Sequence, residues 1–315
     1  LIDAATDTHL WADNYSGTLE DVFDIQERVS RAIAKALQVE LTADDDRRVA
    51  TRPIEDVRAY ECYLQAKYEI FRFTQEGLNR ALELLRQGLE IVGENALLYT
   101  TLGMVYWQHV NTGLDSTERY LQQAEECARK AFDLEPEFAP AHCLRGLVWW
   151  HRGNAQEAAR EFKHAFTRDP DHAQALLFRA AVLATVGQEW TAEADRLLAV
   201  DPLTPFNQIV PVWGHCIRGR FTSAVAEGRR WLARDPESPI APLLLGDTLA
   251  RDGHTNDAVS DLAELAARLP ETMFGQVALF LGHALAGRMN EAAQTVTPTL
   301  TESARFDVQY SWELV

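Results

Sequence analysis

Residues 139–170 read A-P-A-H-C-L-R-G-L-V-W-W-H-R-G-N-A-Q-E-A-A-R-E-F-K-H-A-F-T-R-D-P. Two apolar stripes at helical spacing stand on either side of Arg152-Gly153-Asn154. The first is Leu144, Leu147, Val148 and Trp149, and the second is Ala158, Phe162, Ala165 and Phe166. Gly153 supplies a residue that adopts positive φ at little cost, which ends one helix sharply. Asp169-Pro170 ends the other, because proline has no N–H for the helix ladder. Gly146 and Ala158 are small, so the two helices can approach closely. The stretch predicts a helix-turn-helix unit.

The same punctuation recurs along the chain. Gly153, Gly187, Gly219, Gly253 and Gly287 are separated by 34, 32, 34 and 34 residues. Ala158, Ala192, Ala224, Ala258 and Ala292 follow each glycine by five residues, and Pro136, Pro170, Pro202, Pro236 and Pro270 close the units. Three ladders with one period, sharing one two-residue deletion, define a repeat array. Upstream, 96–136 fits with about nine extra residues placed around Asn111 to Arg119. Residues 57–93 form a degenerate first unit with Tyr60, Tyr63, Ala66 and Ala81, and Gly93 stands where proline is expected. The expectation is an all-α chain of about seven helix hairpins, the last of them incomplete.

Gly146, Trp149, Ala158, Phe162, Ala165 and Pro170 match the small–aromatic–small–aromatic–small–proline signature of the tetratricopeptide repeat, which the unit resembles. In 205–236, Val212 stands at the small position. The resemblance implies a right-handed superhelical solenoid in which first helices line a concave groove. In that register Trp149 belongs to the inter-helix core and Trp150 turns toward the groove. Met104, Trp107, Phe206, Trp213 and Cys216 also face it, with Gln174, Asp247 and Arg251 as polar members. Such a groove suits a partner helix or an extended peptide. Two alternatives stand beside that reading: the superhelix covers these side chains itself, or residues 1–41 cover them. No ring of lysines and arginines is present to clamp a carboxylate-ended peptide.

Residues 1–42 differ from the array. Leu1 to Tyr15 suggest a strand or hairpin arm, and Val22, Ile25, Val29, Ile33 and Leu37 make one apolar helix face. L-I-D-A-A-T-D-T-H-L-W-A-D-N-Y with L-E-D-V-F-D-I-Q-E-R-V resembles the tail of the TolB-like domain of bacterial multidomain regulators. A-Y-E-C-Y-L-Q-A-K-Y resembles the first repeats of the same proteins. That resemblance implies an effector elsewhere, an adenylate cyclase, kinase or DNA-binding domain. The expected organisation is 1–42 as the TolB-like tail, 43–56 as a charged linker, 57–299 as the array and 300–315 as the start of a further helix or cap.

Chemistry-bearing motifs are scarce. No P-loop, dinucleotide, zincin or nucleophile-elbow sequence occurs, so no catalytic residue, cofactor or metal site is expected in this segment. His142, Cys143 and His151 fall short of a zinc ligand set, and Cys143 and Cys216 show no basic partner in sequence. Asp44 to Asp46 read as a solvated linker. The four cysteines lack close pairs and suit reduced thiols. A net charge of −17 opposes nucleic-acid binding by this segment, and no apolar run is long enough to cross a membrane. The expected role is a cytoplasmic, non-catalytic protein-interaction scaffold. Its alternatives are homodimerisation through 1–41 and a small-ligand pocket near Trp107, Trp150 and Trp213.

Overall fold

The computed structural model describes residues 2–3, 8–9, 14, 16, 21–37, 42, 46, 50–115, 117–297 and 300. The expected further helix across 300–315 lies outside the described residues apart from Leu300, as do the turn of the amino-terminal arm and Asp44 and Asp45. Strands β1 (Ile2–Asp3) and β2 (Thr8–His9) pair antiparallel, Ile2 opposite His9. Helix α1 (Val22–Ala36) follows. Its Phe23 ring meets Tyr60 at 5.0 Å, and Arg52 lies over Phe23. Ion pairs Arg31–Asp46 and Arg52–Asp24 tie α1 to the linker, so part of the charged stretch is structural.

The rest is a solenoid of seven helix pairs. They are α2 (Val57–Ile70) with α3 (Gln75–Val92), α4 (Ala96–Asn111) with α5 (Glu118–Leu134), and α6 (Ala139–His151) with α7 (Ala155–Arg168). Then come α8 (Ala173–Thr185) with α9 (Thr191–Val200) and α10 (Ile209–Ile217) with α11 (Phe221–Arg234). Last are α12 (Ala241–Arg251) with α13 (Thr255–Arg268) and α14 (Met273–Leu285) with α15 (Met289–Thr295). The hairpin turns follow from the glycine ladder. Gly153, Gly187, Gly219, Gly253 and Gly287 all adopt positive φ, between 67° and 88°, and Gly113 does the same in the second hairpin. Side-chain caps start the next helices: Asn154 Oδ1 accepts from the Glu157 amide, and Asn95 Oδ1 from Leu98.

Small residues set the approach of paired helices. A Cβ added to Gly146 would lie 2.6 Å from Cε1 of Phe162, and one on Gly246 would lie 2.7 Å from Cγ of Leu262. Phe162 and Leu262 are buried almost completely. In the fifth pair Val212 stands at this position and clusters with Trp231 of α11, while a second close approach, two residues on, is made toward the preceding pair. Gly214 faces the indole of Trp190, which a Cβ would meet at 2.5 Å. The nine extra residues of the second hairpin are not one loop insertion. Helix α4 is 16 residues against 13 in α6, and α5 is 17 against 14 in α7; the turn between them is longer as well. The shortened unit shows the reverse: α9 has only 10 residues, and a 3-10 turn, Pro205–Gln208, precedes α10.

Candidate functional site

The first helix of every pair contributes to one concave surface, which encloses a cavity of about 490 Å³. Tyr63 and Lys67 come from α2, Met104 and Trp107 from α4, Trp150 and His151 from α6, and Gln174 and Phe178 from α8. Phe206 enters from the 3-10 turn, Trp213 from α10, Leu244 from α12 and Phe274 from α14. Six of the residues expected from sequence to face the groove, Met104, Trp107, Trp150, Gln174, Phe206 and Trp213, therefore share one space. Asp247 and Arg251 do not line it. They form an i,i+4 ion pair at 3.0 Å, with Cys216 Sγ 4.0 Å from Asp247. Trp149 is half-buried beside the array core, with Arg152 stacked on its ring.

Cross-repeat contacts organise the interior. The Trp107 indole N–H donates to His151 Nδ1 at 2.8 Å, and its ring meets Phe178 edge-on at 5.9 Å. Burial pushes His151 down to about 4, with the Leu147 backbone weakly opposing, so the ring is neutral near pH 7 and free to accept from Trp107. Gln174 Nε2 lies 3.7 Å from Met104 Sδ, bridging the second and fourth hairpins. His172 precedes α8 and caps it, Nδ1 accepting from the Ala175 amide at 3.2 Å. Desolvation lowers the His172 pKa; Asp169 opposes that shift and Lys67 adds to it.

The turn of the first hairpin reaches across part of the groove. Phe71 and Phe73 each lie 5.9 Å from Phe206 between ring centroids, and Phe73 meets Phe274 edge-on at 5.9 Å. These rings join the first hairpin to the fifth and seventh across the concave face. Phe73 has φ +53°, the left-handed region that glycine occupies in the later hairpin turns, and it is the one non-glycine residue with positive φ among the described residues. That conformation costs a residue with a side chain about 1–2 kcal/mol, so ring contacts, not turn geometry, favour phenylalanine here. Of the two covering agents considered from sequence, the superhelix is the one seen. The described part of 1–41 packs on Tyr60 instead.

Phe71, Phe73, Lys67, His151 and His172 were not singled out for the groove by helical periodicity. Phe71 and Phe73 lie in a turn, where no period applies. The available signal was their place in the repeat: Phe73 stands where later units carry the ladder glycine. Cys143 does have a basic neighbour, contrary to the sequence reading, with His172 Nδ1 3.6 Å from its sulfur. The thiol is fully buried and its pKa is pushed far up by desolvation, so it is not a nucleophile. His142 bonds Glu161 at 2.8 Å, and Arg145 pairs with the same carboxylate. Desolvation raises the Glu161 pKa, but bonds from His142 and Arg145 outweigh it, leaving the group below its ordinary range. No cluster of three or more metal-ligating side chains is present among the described residues. No helix among them is long and apolar enough to cross a membrane.

No family model matches the chain. Half of it, 162 residues, is 31% identical to the Rhizobium meliloti (strain 1021) protein named "Putative adenylate cyclase 3", of whose length this covers 28%. Among solved structures, a tetratricopeptide repeat protein from Parabacteroides merdae superposes with a TM-score of 0.52 at 16% identity, over 77% of this chain and 99% of that one. The human IFIT1 dimer with m7Gppp-AAAA superposes with a TM-score of 0.60 at 14% identity, over 93% of this chain and 64% of that one. At these identities the likeness establishes the tetratricopeptide-type helical solenoid and nothing about ligands.

Proposed function

We propose that this chain is the non-catalytic recognition module of a multidomain bacterial signalling protein, cytoplasmic, with its effector domain elsewhere in the polypeptide. The likeness to a protein named as an adenylate cyclase supports a cyclase as that effector, and the TolB-like resemblance of 1–42 points the same way. The observation that carries the reading is the aromatic cavity on the concave face, built by the first helix of every pair. Repeat arrays present such surfaces for recognition, with binding energy concentrated in buried aromatic anchors.

The closure by Phe71 and Phe73 favours a small ligand over a docked helix. The cavity's volume of about 490 Å³ falls within the span of about 300 to 1,000 Å³ that small-molecule sites occupy. A partner helix or peptide enters only if the Phe71–Phe73 turn swings away. Phosphate-rich ligands are disfavoured by the net charge of −17. A separate reading, homodimerisation through 1–41, draws on α1, whose Ile25, Val29 and Ile33 stay only half-buried; light scattering showing a strict monomer at high concentration removes it.

Tryptophan fluorescence screened against metabolites, nucleotides and a peptide library, in the native chain and in Phe73→Ala, tests the main reading. A small-ligand module responds to a metabolite, and Phe73→Ala weakens that response. A peptide module responds to peptide, and Phe73→Ala strengthens it. A flat response to every class in both proteins overturns the recognition reading.

A further inference from the structure

Lys67 is the one lysine or arginine among the residues lining the cavity, and it pairs with no carboxylate among the described residues. Its ammonium sits over the Tyr63 ring, 5.7 Å from the centroid. The acidic groups nearest in sequence are engaged elsewhere: Glu69 pairs with Arg72 at 2.9 Å, and Glu61 accepts from Gln65 at 3.0 Å. In a chain of 47 acidic and 30 basic residues, an unpaired cation at an aromatic cavity stands out. His172 lines the same cavity, near enough for the charges of Asp169 and, more weakly, of Lys67 to be felt at its ring. Because Nδ1 of His172 accepts from the Ala175 amide, the neutral ring carries its proton on Nε2. That N–H meets no acceptor among the described residues. It lies just before the amino-terminal end of α8, where the helix dipole acts in the same sense.

Asp201, the acidic residue of the lining, does not cancel this arrangement. Its carboxylate and its backbone carbonyl both accept from Asn207 Nδ2 at 3.0 Å. One part of the wall thus presents an exposed cation and an N–H donor. The remainder presents apolar surface, including the half-buried rings of Trp150, Phe178 and Trp213.

Resting on the small-ligand form of the reading above, we propose that the cavity binds an amphipathic organic acid of low molecular mass. Its carboxylate would be held between Lys67 Nζ and His172 Nε2–H, and its apolar body would lie against the half-buried Trp150, Phe178 and Trp213. The exposed ammonium supplies a charge-assisted bond at the cavity rim and the imidazole N–H a directed one beside the aromatic wall. The acid's charge matches the site, while its body matches the volume. A long peptide, even one ending in a carboxylate, is excluded by the Phe71–Phe73 closure.

The test is isothermal titration calorimetry on the full chain with indole-3-acetate, 3-phenylpropionate and decanoate, each beside its primary amide. Lys67 is exposed, so Lys67→Gln leaves the fold intact, which circular dichroism checks. The expected result is that at least one acid binds tenfold or more tightly than its amide, and that Lys67→Gln removes this preference while amide binding persists. Acid and amide binding equally, with no effect of Lys67→Gln, overturns the anion assignment and leaves the small-ligand reading standing. No binding of any acid or amide, together with a flat metabolite screen, overturns both.

Discussion

The hairpin at 139–168 and the stretch from 173 to 217 solve one packing problem in two ways. In the first, Gly146 lets Phe162 press against the first helix, and three residues turn the chain at Gly153. In the second, α9 is cut to ten residues, a 3-10 turn is inserted before α10, and the buried Trp190 packs on Gly214 of the following pair. The regular hairpin extends the array. The irregular one swings Phe206 inward, where it meets Phe71 and Phe73 across part of the groove. Departures from the repeat therefore build the site, and the repeat builds the wall behind it.

The largest expected effect tests whether Trp190 is the plug of the irregular unit. Truncating a buried aromatic costs about 3–5 kcal/mol, so urea unfolding should show Trp190→Ala and Phe162→Ala equally destabilised within that range. A loss under about 1 kcal/mol for Trp190→Ala alone would mean the short unit is held by other contacts.

Acidification comes next. His151 has a folded pKa of about 4, below its unfolded value, so the unfolded chain takes up the proton first. Its contribution is complete above about pH 6.5 and is lost as pH falls toward 4, amounting to about 2 kcal/mol by pH 5. His109, His172 and His215 are lowered by burial too and add in the same direction. Thermal unfolding followed from pH 7 to pH 5 should show a marked drop in the native chain and a smaller one in His151→Gln. Equal drops would remove His151 from the account.

The two kinds of hairpin turn give a smaller contrast. Gly153→Ala forces a side chain into positive φ and should cost about 1–2 kcal/mol. Phe73→Gly relieves the corresponding strain but deletes the ring contacts, each worth about 0.5–1.5 kcal/mol beyond burial, so it should still destabilise. A Phe73→Gly protein more stable than the native chain would show that the rings contribute little.

The helical array was legible because its determinants are local. Glycine at the turn, a small residue opposite an aromatic, and proline at the unit boundary each act within one repeat and recur with its period. The groove was legible in part for the same reason: Trp107, Trp150 and Trp213 follow the face that first helices present. The closure was not legible. It depends on residues 71, 73, 206 and 274 meeting across the superhelix, and nothing within a single repeat encodes the curvature that brings them together. The close approach at Gly214 was hidden likewise, since it answers to Trp190 in the preceding unit. Asp247 and Arg251 were placed by register alone, and their mutual charge draws them together along α12 instead.

The most direct measurement is a double-mutant cycle in chemical denaturation between Phe73→Ala and Phe274→Ala. These residues stand 201 positions apart in sequence, with ring centroids at 5.9 Å. The closed solenoid predicts a coupling of about 1 kcal/mol, within the range of edge-to-face aromatic pairs. Strict additivity of the two substitutions would contradict it and leave the concave face an open groove.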